Sequence, residues 1–273
     1  MTSRRYVSIT SRLFPLCLVL AASLNAGPGD DAYARAEKAL AAKQYDAAIA
    51  AFEEALTADP DSLRDASEYR LATMQRAVSL QPVVKGQPHE GKPTDYDREL
   101  AFFDKLTKDH PNSPNAVLNY GFCYVDKIPA AGTISQVILA NNSLGLFTKS
   151  IELKATWIGL YTRGNSYLYW PKIFGHGPDA VADLERAYAI QKAQPKNPLH
   201  IRVFMALGDA YWKTDVPEKA RAIWREGLKQ FPDSQGLKER MSKDGEALSD
   251  YLDTVLDPNK RVDTDLRELW STQ

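Results

Sequence analysis

Residues 201–234 constrain the fold more than any other part of the chain, because two helical patterns stand there on either side of a polar break. The first pattern has the three- and four-residue spacing of one helix face and consists of Phe204, Leu207, Gly208 and Tyr211. The second repeats that spacing with Ala220, Ile223, Trp224 and Leu228. Pro217 suits the first turn of the second helix, and Pro232 ends it. The stretch predicts a helical hairpin that needs neighbours to bury its apolar face.

The same stretch resembles the tetratricopeptide repeat (TPR), a 34-residue helix-turn-helix unit. With Ile201 as position 1, eight residues match in register: Phe204, Leu207, Gly208, Tyr211, Ala220, Trp224, Gly227 and Pro232. Other stretches match in part, and Gly121 and Gly164 stand at the position of Gly208. The resemblance implies an all-α fold, a right-handed superhelical array of about four to five TPR-like repeats with a C-terminal capping helix. We expect no strands, and we expect the three glycines to let successive helical hairpins nest.

The predicted segments follow from composition and from the repeat register. They are a signal peptide (1–26), an N-terminal TPR-like unit with an extra helix (27–80), a Pro/Gly-rich stretch (81–94), the main array (95–236), a capping helix (237–256) and a polar tail (257–273). Residues 81–94 are either a loop or a domain boundary. Two insertions depart from the repeat pattern: residues 128–142, where Pro129 and Gly132 break the helix, and a turn at 170–178.

The first 26 residues predict export. Three Arg precede an apolar run at 13–24, and a plausible cleavage site follows at Ala26. The mature protein is then periplasmic or secreted; an uncleaved anchor is the alternative. Removing this segment, which holds three Arg and no acid, changes the formal net charge from −1 to −4. No stretch reaches the roughly 20 apolar residues of a membrane span. Cys123 remains alone, so we expect a buried, inert thiol rather than a reactive one.

The sequence offers no constellation typical of catalysis. No two of the four histidines lie within five residues of each other, and no paired Cys or Gly-rich phosphate loop is present. We therefore predict no enzymatic activity, no cofactor and no metal. The near-neutral charge gives no reason to expect a nucleic-acid partner. His176, between two glycines, is interpreted as a turn residue; the alternative is a ligand or proton carrier at the groove mouth.

The resemblance also implies where a partner would bind, because first-helix positions 2, 5, 9, 12 and 13 line the inner groove of TPR arrays. The candidate groove residues are Leu118, Phe122, Tyr161, Asn165, Tyr169, Arg202, Met205, Asp209, Trp212 and Lys213; the same positions include Val125 and Asp126. This aromatic and apolar wall suits an extended peptide, a partner helix or an apolar small molecule. Alternatively, Tyr161, Tyr169 and Trp212 are packed by the insertions and meet no ligand.

Two classes of function remain at this stage. The first is a periplasmic scaffold that mediates protein–protein interaction through the aromatic-lined concave groove. The second is a solute-binding accessory protein of an envelope transport system, since residues 175–187 weakly resemble exported TPR proteins that serve with transporters for organic acids. An open groove of peptide width favours the first, and a closed pocket inside the array favours the second. The sequence names no partner.

Overall fold

The computed structural model describes residues 27, 29–80, 95–257 and 263–270. The predicted signal peptide (1–26) and the Pro/Gly-rich stretch (81–94) lie outside the described residues. The helices are α1 (Asp30–Ala41), α2 (Tyr45–Ala58), α3 (Leu63–Leu80), α4 (Asp95–Asp109), α5 (Pro114–Lys127), α6 (Thr133–Leu153), α7 (Trp157–Tyr167), α8 (Gly177–Lys192), α9 (His200–Lys213), α10 (Pro217–Gln230), α11 (Gln235–Ser242) and α12 (Gly245–Val255). Short 3-10 turns stand at Ile128–Ala130, Lys172–Phe174 and Arg267–Leu269. The described ranges contain no strand.

Consecutive helices pack as five hairpins: α1 with α2, α3 with α4, α5 with α6, α7 with α8, and α9 with α10. The first helix of one hairpin also contacts the first helix of the next, as α3 does with α5 and α7 with α9. This stacking confirms the predicted all-α, TPR-like repeat fold. α3 packs against both α4 and α5, and one hydrophobic cluster contains residues from all three helices.

Local sequence signals explain where several helices begin. Ser113 accepts a hydrogen bond from the backbone N–H of Ala116 at 3.1 Å, with Pro114 as the first residue of α5. Thr156 caps α7 in the same manner, and Ser234 caps α11. Each hydroxyl satisfies one of the backbone donors that a helix start leaves without a partner. Among the helices that the structure describes, none combines the length and apolar character needed to cross a bilayer.

Three glycines allow the two helices within one hairpin to approach closely, whereas the expectation was close contact between successive hairpins. A Cβ at Gly121 would lie 2.5 Å from a ring carbon of Phe147 in α6, and one at Gly164 would lie 2.8 Å from Cγ of Leu184 in α8. At Gly208 a Cβ would overlap the indole of Trp224, which is fully buried. Only a residue without a side chain fits these positions, because the interior is already close-packed.

Two predicted segments differ from the structure. The insertion at 128–142 breaks at Pro129 as expected, but from Thr133 onward it is helical and lengthens α6 to 21 residues. The single capping helix predicted for 237–256 is two helices, α11 and α12. Gly245 adopts a φ of 51° at the break, a left-handed conformation that glycine enters without steric cost, so the chain turns there.

Candidate functional site

The predicted groove residues lie on the first helices of three successive hairpins. Leu118 and Phe122 are on α5; Tyr161, Asn165 and Tyr169 are on or just after α7; and Arg202, Met205, Asp209, Trp212 and Lys213 are on α9. Leu118, Phe122 and Asp209 are buried, and the other seven are partly buried. None of the ten is exposed, so other parts of the chain already cover this surface.

One cover is the C-terminal segment 263–270, which we call the tail. Leu266 of the tail is 2% exposed and belongs to the same hydrophobic cluster as Leu118, Phe122, Trp157 and Ile158 of α5 and α7. Asp263 accepts a hydrogen bond from Nη2 of Arg202 on α9 at 2.8 Å. The polar tail predicted from composition thus lies on the groove side of the array, fixed by an apolar side chain and an ion pair.

A buried polar centre under the tail holds its backbone. Arg70 of α3, whose side chain is 2% exposed, pairs with Oδ2 of Asp126 at 2.7 Å and donates to Oδ1 of Asn119 at 3.0 Å. Its remaining Nη2 donates to the carbonyl oxygen of Thr264 at 3.2 Å, and the Thr264 hydroxyl donates to Oδ1 of Asp126 at 2.7 Å. Such charge-assisted bonds in a buried site are stronger than neutral ones. The centre therefore recognises both a main-chain carbonyl and a hydroxyl.

The second cover is the C-terminal helix pair. Nε1 of Trp212 donates to the hydroxyl of Ser249 in α12 at 3.1 Å. Asp209 forms a two-pronged ion pair with Arg240 of α11, with N–O distances of 2.6 and 2.7 Å. Lys213 donates to a backbone carbonyl at the end of α7 at 2.6 Å, and burial lowers the pKa of its ammonium group. These three predicted groove residues serve internal contacts of the array.

The remaining aromatic residues are packed as well. Tyr161 stacks on Trp157 with ring centroids 5.5 Å apart, and burial raises the pKa of Tyr169. Of the three residues in the expected alternative, Tyr161 packs against the cluster that contains Leu266 of the tail, Trp212 contacts α12, and Tyr169 lies beside the two insertions. Sequence reasoning missed Arg70, although a charged residue inside the apolar stripe of α3 was a signal for it.

The two insertions meet and border a partly open cavity of about 360 Å³. The end of α5 and the first half of α6 form one side, and the aromatic residues Tyr169, Trp170 and Phe174 form the other. No charged side chain lines it. Beside it, Ile134 is 81% exposed and Ile173 is 90% exposed, which is unusual for side chains of this size.

His176 lies within the 170–178 turn, directly before α8. Its ring stacks on Tyr167 with centroids 4.8 Å apart and meets the edge of Trp170 at 5.5 Å. Its Nδ1 is 3.8 Å from a carboxylate oxygen of Asp179. These contacts support the interpretation of His176 as a residue that shapes the turn. Across the described residues, no group of three or more His, Cys, Asp or Glu side chains could hold a metal ion.

Comparison with solved structures places the fold among TPR proteins. The thermophilic TPR protein TTC0263 of Thermus thermophilus is similar to this chain with a TM-score of 0.51 and 17% identity, over 78% of this chain and 97% of that one. Two MamA structures are similar at a TM-score of 0.46, with 14% and 17% identity, over 80% and 72% of this chain and 96% and 94% of theirs. At such identities the likeness concerns the fold alone. No protein-family model and no curated protein matches the chain.

Proposed function

We propose that this protein is a non-enzymatic scaffold that binds an extended segment of a protein partner on its concave side. The observation that carries the proposal is the tail, because the chain places its own peptide segment across first helices of the array. The tail is held by main-chain recognition, a hydroxyl contact and one apolar anchor. A partner segment with the same chemistry would make the same contacts once the tail is displaced.

The proposed partner segment has features that the tail contacts define. An acidic residue would face Arg202, a Ser or Thr would face Asp126, and a Leu-sized residue two positions later would fill the place of Leu266. Because the tail is tethered, it competes at an effective concentration of about millimolar, so a partner must bind tightly or the tail must first be weakened.

A peptide supplied in trans tests this proposal. The full-length chain with Thr264→Ala and Leu266→Ala has a weakened tail, and the probe is a fluorescent peptide of sequence 262–273. We expect the weakened-tail chain to bind the peptide at least tenfold more tightly than the unaltered chain does. The matched control is Asp265→Asn, since the Asp265 carboxylate pairs with Arg267 of the tail itself.

A second probe guards against non-specific binding. The same peptide with Thr264→Ala and Leu266→Ala should bind the weakened-tail chain at least tenfold less tightly than the natural peptide. Thermal melts of each chain check that the array stays folded. If the folded, weakened-tail chain does not distinguish the two peptides, the concave side is not a peptide site and the proposal fails.

We further propose that the chain is exported, as residues 1–26 predict. Fractionation of cells and N-terminal sequencing of the mature protein test this; a chain that keeps its first residues in the cytoplasm would contradict it. The alternative role, a solute-binding accessory of a transport system, stays a prediction. The cavity between the insertions favours solute binding, but its uncharged lining does not suit organic acids, which need a cation or several hydrogen-bond donors.

A further inference from the structure

The cavity between the insertions is built from features that the repeat does not require. Residues 128–148 contain no charged side chain, although a quarter of the whole chain is charged. From α6 they present Thr133, Gln136, Val137 and Ala140 to the cavity, at the spacing of one helix face. The 170–174 turn closes the other side with Trp170 and Phe174.

The size of the cavity is that of a small-molecule site. Ligand pockets in proteins usually span roughly 300–1,000 Å³, and this one has about 360 Å³. It is large enough to hold several water molecules. Water in such a place would face mostly apolar walls, so its replacement by hydrocarbon is favourable.

Three polar side chains of the lining are already engaged within the chain. The Gln136 amide donates to the carbonyl of Ile128 at 3.2 Å. The hydroxyls of Ser143 and Ser166 donate to the carbonyls of Ala140 and Thr162, at 2.8 and 2.7 Å. These contacts use both serine protons and one amide proton, which a ligand would otherwise compete for. With no lining charge, a carboxylate, ammonium or phosphate group would be desolvated there without a counter-charge.

The residues around the opening of the cavity indicate how the rest of a longer ligand would be placed. Ile134 and Ile173 are both largely exposed, and each is next in sequence to a residue that lines the cavity. Lys172, the cation in the turn, does not line the cavity and pairs at the surface with Asp215 at 2.9 Å. A chain that enters the cavity can thus extend along the rim and carry an uncharged polar end into water.

We propose that this cavity binds one aliphatic chain of an uncharged amphiphile, whose polar end stays in solvent. The site borders the candidate groove, because Val125 and Tyr169 also line it, but the proposal does not depend on the scaffold function. It explains why residues 128–148 carry no charge and why Ile134 and Ile173 stand exposed.

A homologous series of probes tests the proposal. Alkyl maltosides with chains of eight to twelve carbons, kept below their micelle-forming concentrations, are titrated into the full-length protein by isothermal calorimetry. We expect one site and about a fourfold gain in affinity per methylene, the equivalent of about 0.8 kcal/mol, until the cavity is full. An affinity that does not change with chain length would overturn the proposal.

Two variants on α6 locate the site. Ala140→Phe fills the cavity and should lower the affinity at least tenfold, whereas Ser135→Phe, on the exposed side of the same helix, should leave it within twofold. Thermal melts confirm that both are folded. Binding that survives in folded Ala140→Phe would refute the site. So would a dimer, seen by sedimentation, that Ile134→Asp converts to a monomer, because a second copy would then cover the cavity.

Discussion

The buried ion pair between Asp209 and Arg240 fixes α11, the first helix of the C-terminal pair, to α9, the first helix of the fifth hairpin. Both oxygens of Asp209 accept hydrogen bonds from Arg240, and the two side chains are only 2% and 7% exposed. Replacing Asp209 by Leu leaves the guanidinium buried without its counter-charge. Removal of one partner from a buried pair costs about 3–5 kcal/mol. For a chain of this size each kcal/mol lowers Tm by about 2–4 °C, so we expect a drop of roughly 6–20 °C.

A double variant distinguishes the energy of the ion pair from the energy of the surrounding packing. Asp209→Leu with Arg240→Met removes both charges and keeps apolar volume, so its stability should return to within about 1 kcal/mol of the natural protein or exceed it. Urea unfolding, followed by circular dichroism, gives the free energy of unfolding of each of the four proteins in the double-mutant cycle. The exposed pair Lys105–Asp109 serves as the control, because loss of such a pair costs at most about 1 kcal/mol.

Two results would refute this reasoning. One is a single variant, Asp209→Leu, that loses less than about 1 kcal/mol. The other is a double variant whose loss equals the sum of the single losses, since independent contributions would mean that the pair is not coupled. In either case Asp209 would return to consideration as a residue that faces a partner.

Three further predictions concern single sites. Gly121→Val should destabilise the array by about 1–3 kcal/mol in urea unfolding, because a Cβ there lies 2.5 Å from a ring of α6, whereas Gly145→Ala, which faces open space, should be neutral or stabilising. Burial, then the charge of Glu37, raises the pKa of Glu68 from 4.5 to about 7, so the stability present below pH 4.5 is lost as the pH rises to about 7. Glu68→Gln should flatten that decline and be more stable than the natural chain above pH 7; an unchanged profile would contradict it. Burial also raises the pKa of the Cys123 thiol, which should react with a thiol reagent only as the chain unfolds; fast labelling of the native protein would exclude this.

The repeat fold could be predicted because its signals are local. Gly208 and Trp224 are sixteen positions apart, and their residue types at that offset already require two closely packed helices. The same register named the candidate groove residues, which lie on or just after the first helices of three hairpins. It could not predict that the groove is covered, since Thr264 meets Arg70 and Asp126 across 194 and 138 positions. A polar tail has no periodicity that predicts where it folds back.

The insertions show the same difference between what the sequence predicts and what only the folded structure decides. Each was visible in the sequence as a departure from the repeat, at 128–142 and at 170–178. Their meeting around one cavity could not be predicted, because it depends on how far α6 extends and on how the turn after α7 packs.

The sequence by itself determined the helical hairpins, the need for close packing at three glycines and the faces they turn inward, because these depend on residue type at short, fixed spacings. Only the tertiary structure decided which surfaces remain available. The availability of a surface depends on contacts between distant parts of the chain, and these contacts form only after the array has folded.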